Sequence, residues 1–340
     1  MLPAVLLYAL ILVIDPYDSV AFSPNWQRHP VRGDHRHWNA MLVRQPEFDS
    51  AVFGTSSAML LRPAELDRAF GGRFVNLSMP AATPFEQLRL LELFRHYRPQ
   101  VRVVVFGVDS LWCHPDGGPQ FTNEVLRRAF PEWLYDTDPW NDWPPFNKTT
   151  LKAAYDQARA LLGLPVPYQR WNDGYEDLTK TLHKRNDPES VRKRIYEGTR
   201  EGVLWRNPQH PPVPTYPDLE RLGDALAELP ADTVKILFFS PYHRFHMPEP
   251  GSEQAELWNG CKRKATGLAE RIDNIVVADF LMPSPITNDD AHYIDGYHYT
   301  TDIASRVVGY LHDAVTTGHD HPTDYRVLAR RLREGRRRGP

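Results

Sequence analysis

The sequence predicts an α/β chain with three layers, helices on both faces of a parallel sheet of about five strands, interrupted by a large, mostly helical or irregular insertion. Three observations point there. Val101–Val108 (VRVVVFGV) is a nearly continuous run of β-branched residues, the pattern of a strand buried on both faces. Val234–Ser240 (VKILFFS) and Ile275–Phe280 (IVVADF) repeat that character. Strand-like runs also alternate with helix-length segments, which implies crossover connections and parallel pairing.

In chain order, Leu2–Ile14 (LPAVLLYALILVI) is an unbroken apolar run of 13 residues, followed at once by Asp15-Pro16-Tyr17-Asp18. A bilayer span needs about 20 residues, so the run reads as a signal-peptide core or short anchor. A buried first strand or helix is the alternative. The acidic DPYD exit is compatible with the outer side of a membrane. Ser50–Phe53 (SAVF) is a short strand ending at Gly54, and residues 57–70 read as a helix with Met59, Leu60, Leu66 and Phe70 facing inward. Arg73–Asn76 is a second strand. Pro84–Tyr97 is a helix that presents Phe85, Leu88, Leu91 and Phe94. Glu253–Ile272 and Asp302–Val315 are the helices that follow the last two strands.

Between the third and fourth strands lie roughly a hundred residues, far beyond ordinary loop length. They mix a Pro-rich aromatic stretch (PEWLYDTDPWNDWPPF) with apparent helices at Thr149–Leu162 and Pro188–Tyr196. They read as an insertion over the C-terminal edge of the sheet, or as a separate small domain. The expected organisation is thus an apolar signal or anchor over 1–18, an α/β core over 19–111 and 231–318, an insertion over 112–230 covering the active-site edge, and a basic tail over 319–340. The tail, Arg326–Pro340, reads as a solvated basic helix with a secondary option of contact with acidic lipids.

Composition sets limits. Hydrophobic content of 41% and charged content of 24% are those of an ordinary folded protein. A net charge of −3 gives no reason to expect nucleic acid as a partner. The 31 prolines imply long ordered loops, and the 9 tryptophans suit sugar rings or interfaces without deciding for them. Cys113 and Cys261 fit neither a metal site nor a CxxC redox motif and read as inert thiols, with a disulfide as the alternative.

The chemistry concentrates in Asp289–His298 (DDAHYIDGYH) and in Gly54-Thr55-Ser56-Ser57. A glycine closing a buried strand permits a tight turn that lifts Ser56 to the rim of the sheet, near the start of the next helix. Helix capping is the other job for serine there. Asp295 and His298, three residues apart on one loop, can supply the base and its orienter: the imidazole takes the serine proton and the carboxylate fixes the tautomer.

FGTSSAM, NLSMPAATP, FGVDS and IDGYH fall in the order of the SGNH (GDSL-like) hydrolase blocks. Over roughly residues 45–110 and 232–316 the chain resembles that superfamily, and within it the membrane-anchored bacterial branch similar to alginate O-acetyltransferase-like cell-envelope proteins. The resemblance implies the flavodoxin-like SGNH sheet. It makes Ser56 the nucleophile, His298 the general base and acid and Asp295 its orienter, with the Ser56 and Ala81 backbone N–H groups in the oxyanion hole. Two departures matter: Thr55 stands where the family has Asp, and Asp109 where it has an Asn whose amide serves the oxyanion hole. An ionised Asp109 would repel an oxyanion, so it must be protonated, turned away or otherwise employed. Ala81 also replaces a glycine.

The implied activity is that of a serine esterase or O-acyltransferase, acting without a cofactor or metal on a small-molecule ester or a cell-envelope glycan. The expected location is periplasmic or otherwise extracytoplasmic, at the inner membrane through residues 2–14. Two rivals remain. One is a catalytically degenerate fold that binds envelope glycan, suggested by Asp109. The other is a metal-dependent hydrolase using His243, His246, Asp289, Asp290, His292, Asp295 and His298.

Overall fold

A computed structural model of the chain describes residues 2–29, 35–121, 130–138, 140, 142–166, 172–197, 204 and 213–333. Among these, the elements in order are α1 (Leu2–Ile14), α2 (His35–Arg44), β1 (Ser50–Phe53), α3 (Pro63–Phe70), β2 (Phe74–Asn76), α4 (Pro84–Tyr97), β3 (Val103–Val108), α5 (Lys148–Leu161), α6 (Leu178–Thr181), α7 (Pro188–Glu197), α8 (Pro217–Ala227), β4 (Val234–Phe239), α9 (Glu253–Gly267), β5 (Ile275–Asp279), α10 (Thr301–Thr316) and β6 (Arg326–Arg331). The strands form one sheet in the order β2-β1-β3-β4-β5-β6. The first five are parallel, and β6 runs antiparallel along β5.

Side-chain alternation along these strands builds two cores. Phe53, Val104, Phe106, Leu237, Phe239 and Val277 join the core covered by α2, α4, α8 and α9. Val52, Val105, Ile236, Phe238, Val276 and Ala278 join the core covered by α3 and α10. Both faces are therefore apolar, which is why the strands read as unbroken hydrophobic runs rather than alternating ones. Phe53 and Phe106, partners in the β1–β3 register, stack with centroids 4.7 Å apart. The connection after β1 leads to β2 at one side and the connection after β3 leads to β4 at the other, so the two diverge. A crevice forms at the carboxyl ends of the strands at such a point.

Several local expectations change. The single helix over residues 57–70 is a 3-10 turn (Ala58–Leu60) and then α3, because Arg62 precedes Pro63 and is held extended (φ −78°, ψ 122°). The helix after β4 likewise ends in a 3-10 turn at Leu268–Glu270. α4 starts where its cap dictates: Thr83 Oγ1 accepts from the Glu86 N–H while the Thr83 N–H donates to Glu86, behind Pro84. α8 lies within the stretch expected as insertion, but it packs on α4 and supplies the crossover helix between β3 and β4.

The basic tail is not a helix where it is described. Arg326–Arg331 pair with β5 and cover an edge that would otherwise present unpaired N–H and C=O groups. Its arginines meet local acceptors: Arg326 pairs with Asp320 at 3.1 Å, and Arg331 with Asp273 at 2.9 Å. The remainder of the tail, residues 334–340, lies outside the described residues. Asp15 of the DPYD segment is also not an exposed acidic exit. It is fully buried, its carboxylate accepting from the Ser19 and Val20 N–H groups and the Ser23 hydroxyl. α1 rests on α5 through Ile11, Ile14 and Ala154. Among the described residues no helix is long and apolar enough to cross a membrane.

Cys113 and Cys261 are joined in a disulfide, with Cα atoms 5.3 Å apart, and are not free thiols. The turn after β3 and the middle of α9 pack into the same core, a proximity that a separation of 148 residues hides. Replacing both cysteines by alanine, or reducing the bond, should lower unfolding free energy by about 2–5 kcal/mol. Urea titration with and without reductant checks this, and an unchanged midpoint would refute a stabilising role.

Candidate active site

β1 ends at Gly54, whose φ of +154° lies where side-chain-bearing residues rarely go. A Cβ there would also sit 2.6 Å from that of Ala58. Only glycine lets the chain turn this tightly against the next residues, and the turn lifts Ser56 to the half-buried rim of the sheet. Because the element that follows is a 3-10 turn, no full helix dipole backs Ser56. The turn is instead held by side chains. Asn76, fully buried at the end of β2, donates through Nδ2 to the carbonyls of Ala58 (3.0 Å), Met59 (3.3 Å) and Leu61 (2.9 Å), and its Oδ1 accepts from the Ser78 N–H (3.0 Å). The Tyr299 hydroxyl donates to the Ser57 carbonyl at 2.7 Å.

The structure brings Ser56, His298 and Asp295 together. His298 Nε2 lies 2.6 Å from Ser56 Oγ, and its Nδ1 lies 2.9 and 2.8 Å from the two Asp295 oxygens. A carboxylate only accepts, so Nδ1 carries the ring proton and Nε2 accepts from the Ser56 hydroxyl. Asp295 Oδ1 also accepts from the Tyr297 and His298 N–H groups, each at 2.9 Å. Burial alone would raise the Asp295 carboxyl. The His298 ring, with lesser help from His183 and the Tyr297 N–H, instead holds it well below the usual carboxylate range. The orienting group is thus a fixed anion at any ordinary pH.

The loop that carries Asp295 and His298 needs its glycine. A Cβ on Gly296 would fall 2.1 Å from the His246 ring. His246 is itself locked: Nε2 donates to the Ile195 carbonyl (2.7 Å), leaving Nδ1 to accept from the Tyr297 hydroxyl (2.9 Å). The His243 N–H donates to the Gly296 carbonyl at 3.0 Å. Its ring Nε2 donates to Asp290 Oδ1 (3.1 Å), and Nδ1 accepts from the Phe245 N–H (3.2 Å). Both ring nitrogens of His243 and of His246 are therefore committed to protein partners. Among the described residues no group of three or more His, Cys, Asp or Glu is placed to hold a metal ion. The cluster read as a metal site, including Asp289 and His292, instead scaffolds the loop.

Ala81 and Asp109, the residues expected at an oxyanion hole, lie on the loops after β2 and β3. The Met79 N–H donates to the Gly54 carbonyl at 3.1 Å, which ties the loop carrying Ala81 to the end of β1. Ala81 has φ +49°, in the left-handed region that favours glycine, so it keeps a glycine-like backbone despite its Cβ. Asp109 is turned into its own loop. Its carboxylate accepts from the Leu111 N–H at 3.0 Å, and the Thr55 hydroxyl and Trp112 N–H are near enough to favour its ionised form. The residues at the two departures, Thr55 and Asp109, are thus neighbours that act on each other electrostatically. Burial pushes the Asp109 carboxyl up to about 6, against the pull of those donors.

Two side chains at the site escaped sequence reading. Asn76 had only the weak signal of a polar residue ending an apolar strand. His183, from the insertion, donates to Asp295 from 2.8 Å and had no signal at all. No protein-family model and no curated protein matches this sequence.

A carboxyl whose folded pKa lies above its unfolded value destabilises the fold progressively as pH rises between the two, here from about 4 to about 6. The stability of Asp109→Asn minus that of the wild type should therefore grow from pH 4 to pH 7, on the order of 1–3 kcal/mol. Denaturant titrations at both pH values test it, and a pH-independent difference would contradict a buried, raised Asp109. Asn76→Ala removes the side-chain donor from the Met59 and Leu61 carbonyls and should lower stability by about 2–4 kcal/mol. An unfolding midpoint within error of the wild type would show that the clamp is dispensable.

Proposed function

We propose that this chain is an SGNH-type serine esterase or O-acyltransferase that works through an acyl-Ser56 on an ester of a cell-envelope carbohydrate outside the cytoplasm. The observation that carries this reading is the 2.6 Å contact between Ser56 Oγ and His298 Nε2, with Asp295 on the opposite ring nitrogen. Nucleophile, base and orienter stand in the geometry that acyl transfer requires. The parallel strand order β2-β1-β3-β4-β5 and the left-handed backbone at Ala81 agree with the resemblance.

In the proposed reaction, Ser56 Oγ attacks the ester carbonyl carbon while its proton passes to His298 Nε2. The N–H groups of Ser56 and Ala81 receive the negative oxygen of the tetrahedral intermediate. As the intermediate collapses, the leaving alcohol takes the proton from His298 and departs, leaving an acyl-Ser56. Water or a sugar hydroxyl then gives its proton to His298 and attacks the acyl carbon, and as the second intermediate collapses His298 returns that proton to the departing Ser56 Oγ, freeing the acid or new ester. Water as acceptor makes an esterase, and a sugar hydroxyl makes a transferase. Asp295 remains ionised throughout and stabilises the imidazolium.

The Cys113–Cys261 disulfide supports an oxidising, extracytoplasmic setting. The outward faces of α1 support attachment to a membrane: Leu2, Val5, Leu6 and Leu10 are each more than half exposed. Tyr8 at its middle packs on Phe146 beside exposed Trp143, and aromatic side chains suit a membrane–water interface. Asp109 favours a second reading, an envelope-glycan binding protein without turnover, because a carboxylate replaces an amide donor of the oxyanion hole.

Hydrolysis of p-nitrophenyl acetate should fall at least about a thousandfold in Ser56→Ala and in His298→Ala. A fluorophosphonate should label Ser56 in the wild type, with or without a chelator. Wild-type protein that neither turns over the ester nor takes the label, yet binds glycan equally well in both variants, would replace the enzyme by the binding protein.

A further inference from the structure

The insertion reaches the triad itself. α6 is capped by Asp177, whose carboxylate accepts from the Thr179 N–H at 3.1 Å, and Leu178 is buried in the core beneath α10. The chain then leaves the helix and presents His183, whose Nε2 lies 2.8 Å from Asp295 Oδ2. The same oxygen lies 2.8 Å from His298 Nδ1, so two imidazoles share one carboxylate oxygen. Asp295 is ionised and can only accept, so His183 carries its proton on Nε2.

This contact is braced. Arg194 of α7 donates through Nε to the Ile294 carbonyl (2.8 Å), one residue before Asp295. Its other two nitrogens donate to the Arg185 carbonyl (2.9 Å) and to Asn186 Oδ1 (2.8 Å), on the loop just after His183. One guanidinium thus clasps the His183 loop to the Asp295 loop, and its planar fork suits such a multi-point clasp. The Tyr196 hydroxyl adds a bond to Asp290 at 2.8 Å, and the Ile195 carbonyl accepts from His246. Val191 and Ile195 anchor α7 in the core.

We propose that His183 is a positioning residue of the active site: it holds the Asp295 carboxylate in the orientation that aligns His298 with Ser56, so that the insertion completes the catalytic machinery. The proposal rests on the acyl-transfer reading above and deepens it. Without His183, the Tyr297 and His298 N–H groups still hold Asp295 Oδ1, but Oδ2 keeps only His298 as a donor among the bonds described, and the carboxylate can tilt about that anchored oxygen. His298 then loses alignment with Ser56 Oγ, and misplacement by a fraction of an ångström is enough to slow attack. An amide at position 183 can donate to the same oxygen, so glutamine should substitute where alanine cannot.

The test measures the second-order rate at which a fluorophosphonate labels Ser56 in the full chain, together with the NMR resonance of the His298 Nδ1 proton. His183→Ala should label about tenfold more slowly than the wild type and shift that resonance. His183→Gln should recover most of the rate and return the resonance toward its wild-type position. A His183→Ala protein that labels at the wild-type rate with an unmoved resonance overturns the role of His183 and leaves the acyl-transfer reading intact. Glutamine as slow as alanine also overturns it. Wild-type protein that takes no label overturns both.

Discussion

Ser56 and His298 are separated by 242 residues and meet in a single hydrogen bond, and the parallel sheet is what permits the meeting. In a parallel sheet every strand delivers its following loop to the same edge. The turn after β1 and the loop after β5 therefore open on one rim, although they lie near opposite ends of the chain. The connections after β1 and β3 leave in opposite directions, the arrangement at which open α/β sheets bind ligands. Two cores, one on each face, keep the strands in register and so fix the distance between the rim groups. The chemistry of the site is a consequence of that register.

Around this bond the protein spends buried polar groups on backbone geometry. The Asn76 amide reaches the carbonyls of Ala58, Met59 and Leu61 in a turn where the Leu61 N–H also donates to Ala58, and Tyr299 reaches Ser57. Asp109 accepts from its own loop through the Leu111 N–H and lies beside Thr55 in the turn beneath Ser56. Polar groups buried in this way are stable only when paired, and pairing makes the turn stiff. A stiff turn keeps the Ser56 hydroxyl in one place.

The insertion carries α5, on which α1 rests, and two further sets of helices. α8 belongs to the sheet, as the crossover between β3 and β4. α6 and α7 belong to the active-site loop, to which they are tied by Arg194, His183 and the contacts of Ile195 and Tyr196. The histidines of the His243–His246 segment, with their ring nitrogens all engaged, serve the same loop from the β4 side. A concentration of histidine and aspartate that suggests a metal centre is here a hydrogen-bonded scaffold that holds Gly296 against an imidazole.

The α/β class, the parallel pairing of the buried strands and the candidates Ser56, Asp295 and His298, which meet at the rim, were legible in the sequence, because burial on both faces forces continuous apolar strands and a glycine-ended strand forces a turn. Local breaks such as Arg62–Pro63 were equally local in cause, though the helix over residues 57–70 was read straight through them. Other features depended on contacts between distant segments, which spacing does not encode. The Cys113–Cys261 bond, the pairing of Arg326–Arg331 with β5, the partnership of Thr55 with Asp109 and the approach of His183 to Asp295 all join groups brought side by side by the packed layers. Sequence determined which elements form and which side chains can do chemistry. Tertiary structure decided their partners, because hydrogen bonds and disulfides act over a few ångströms and only folding sets those distances.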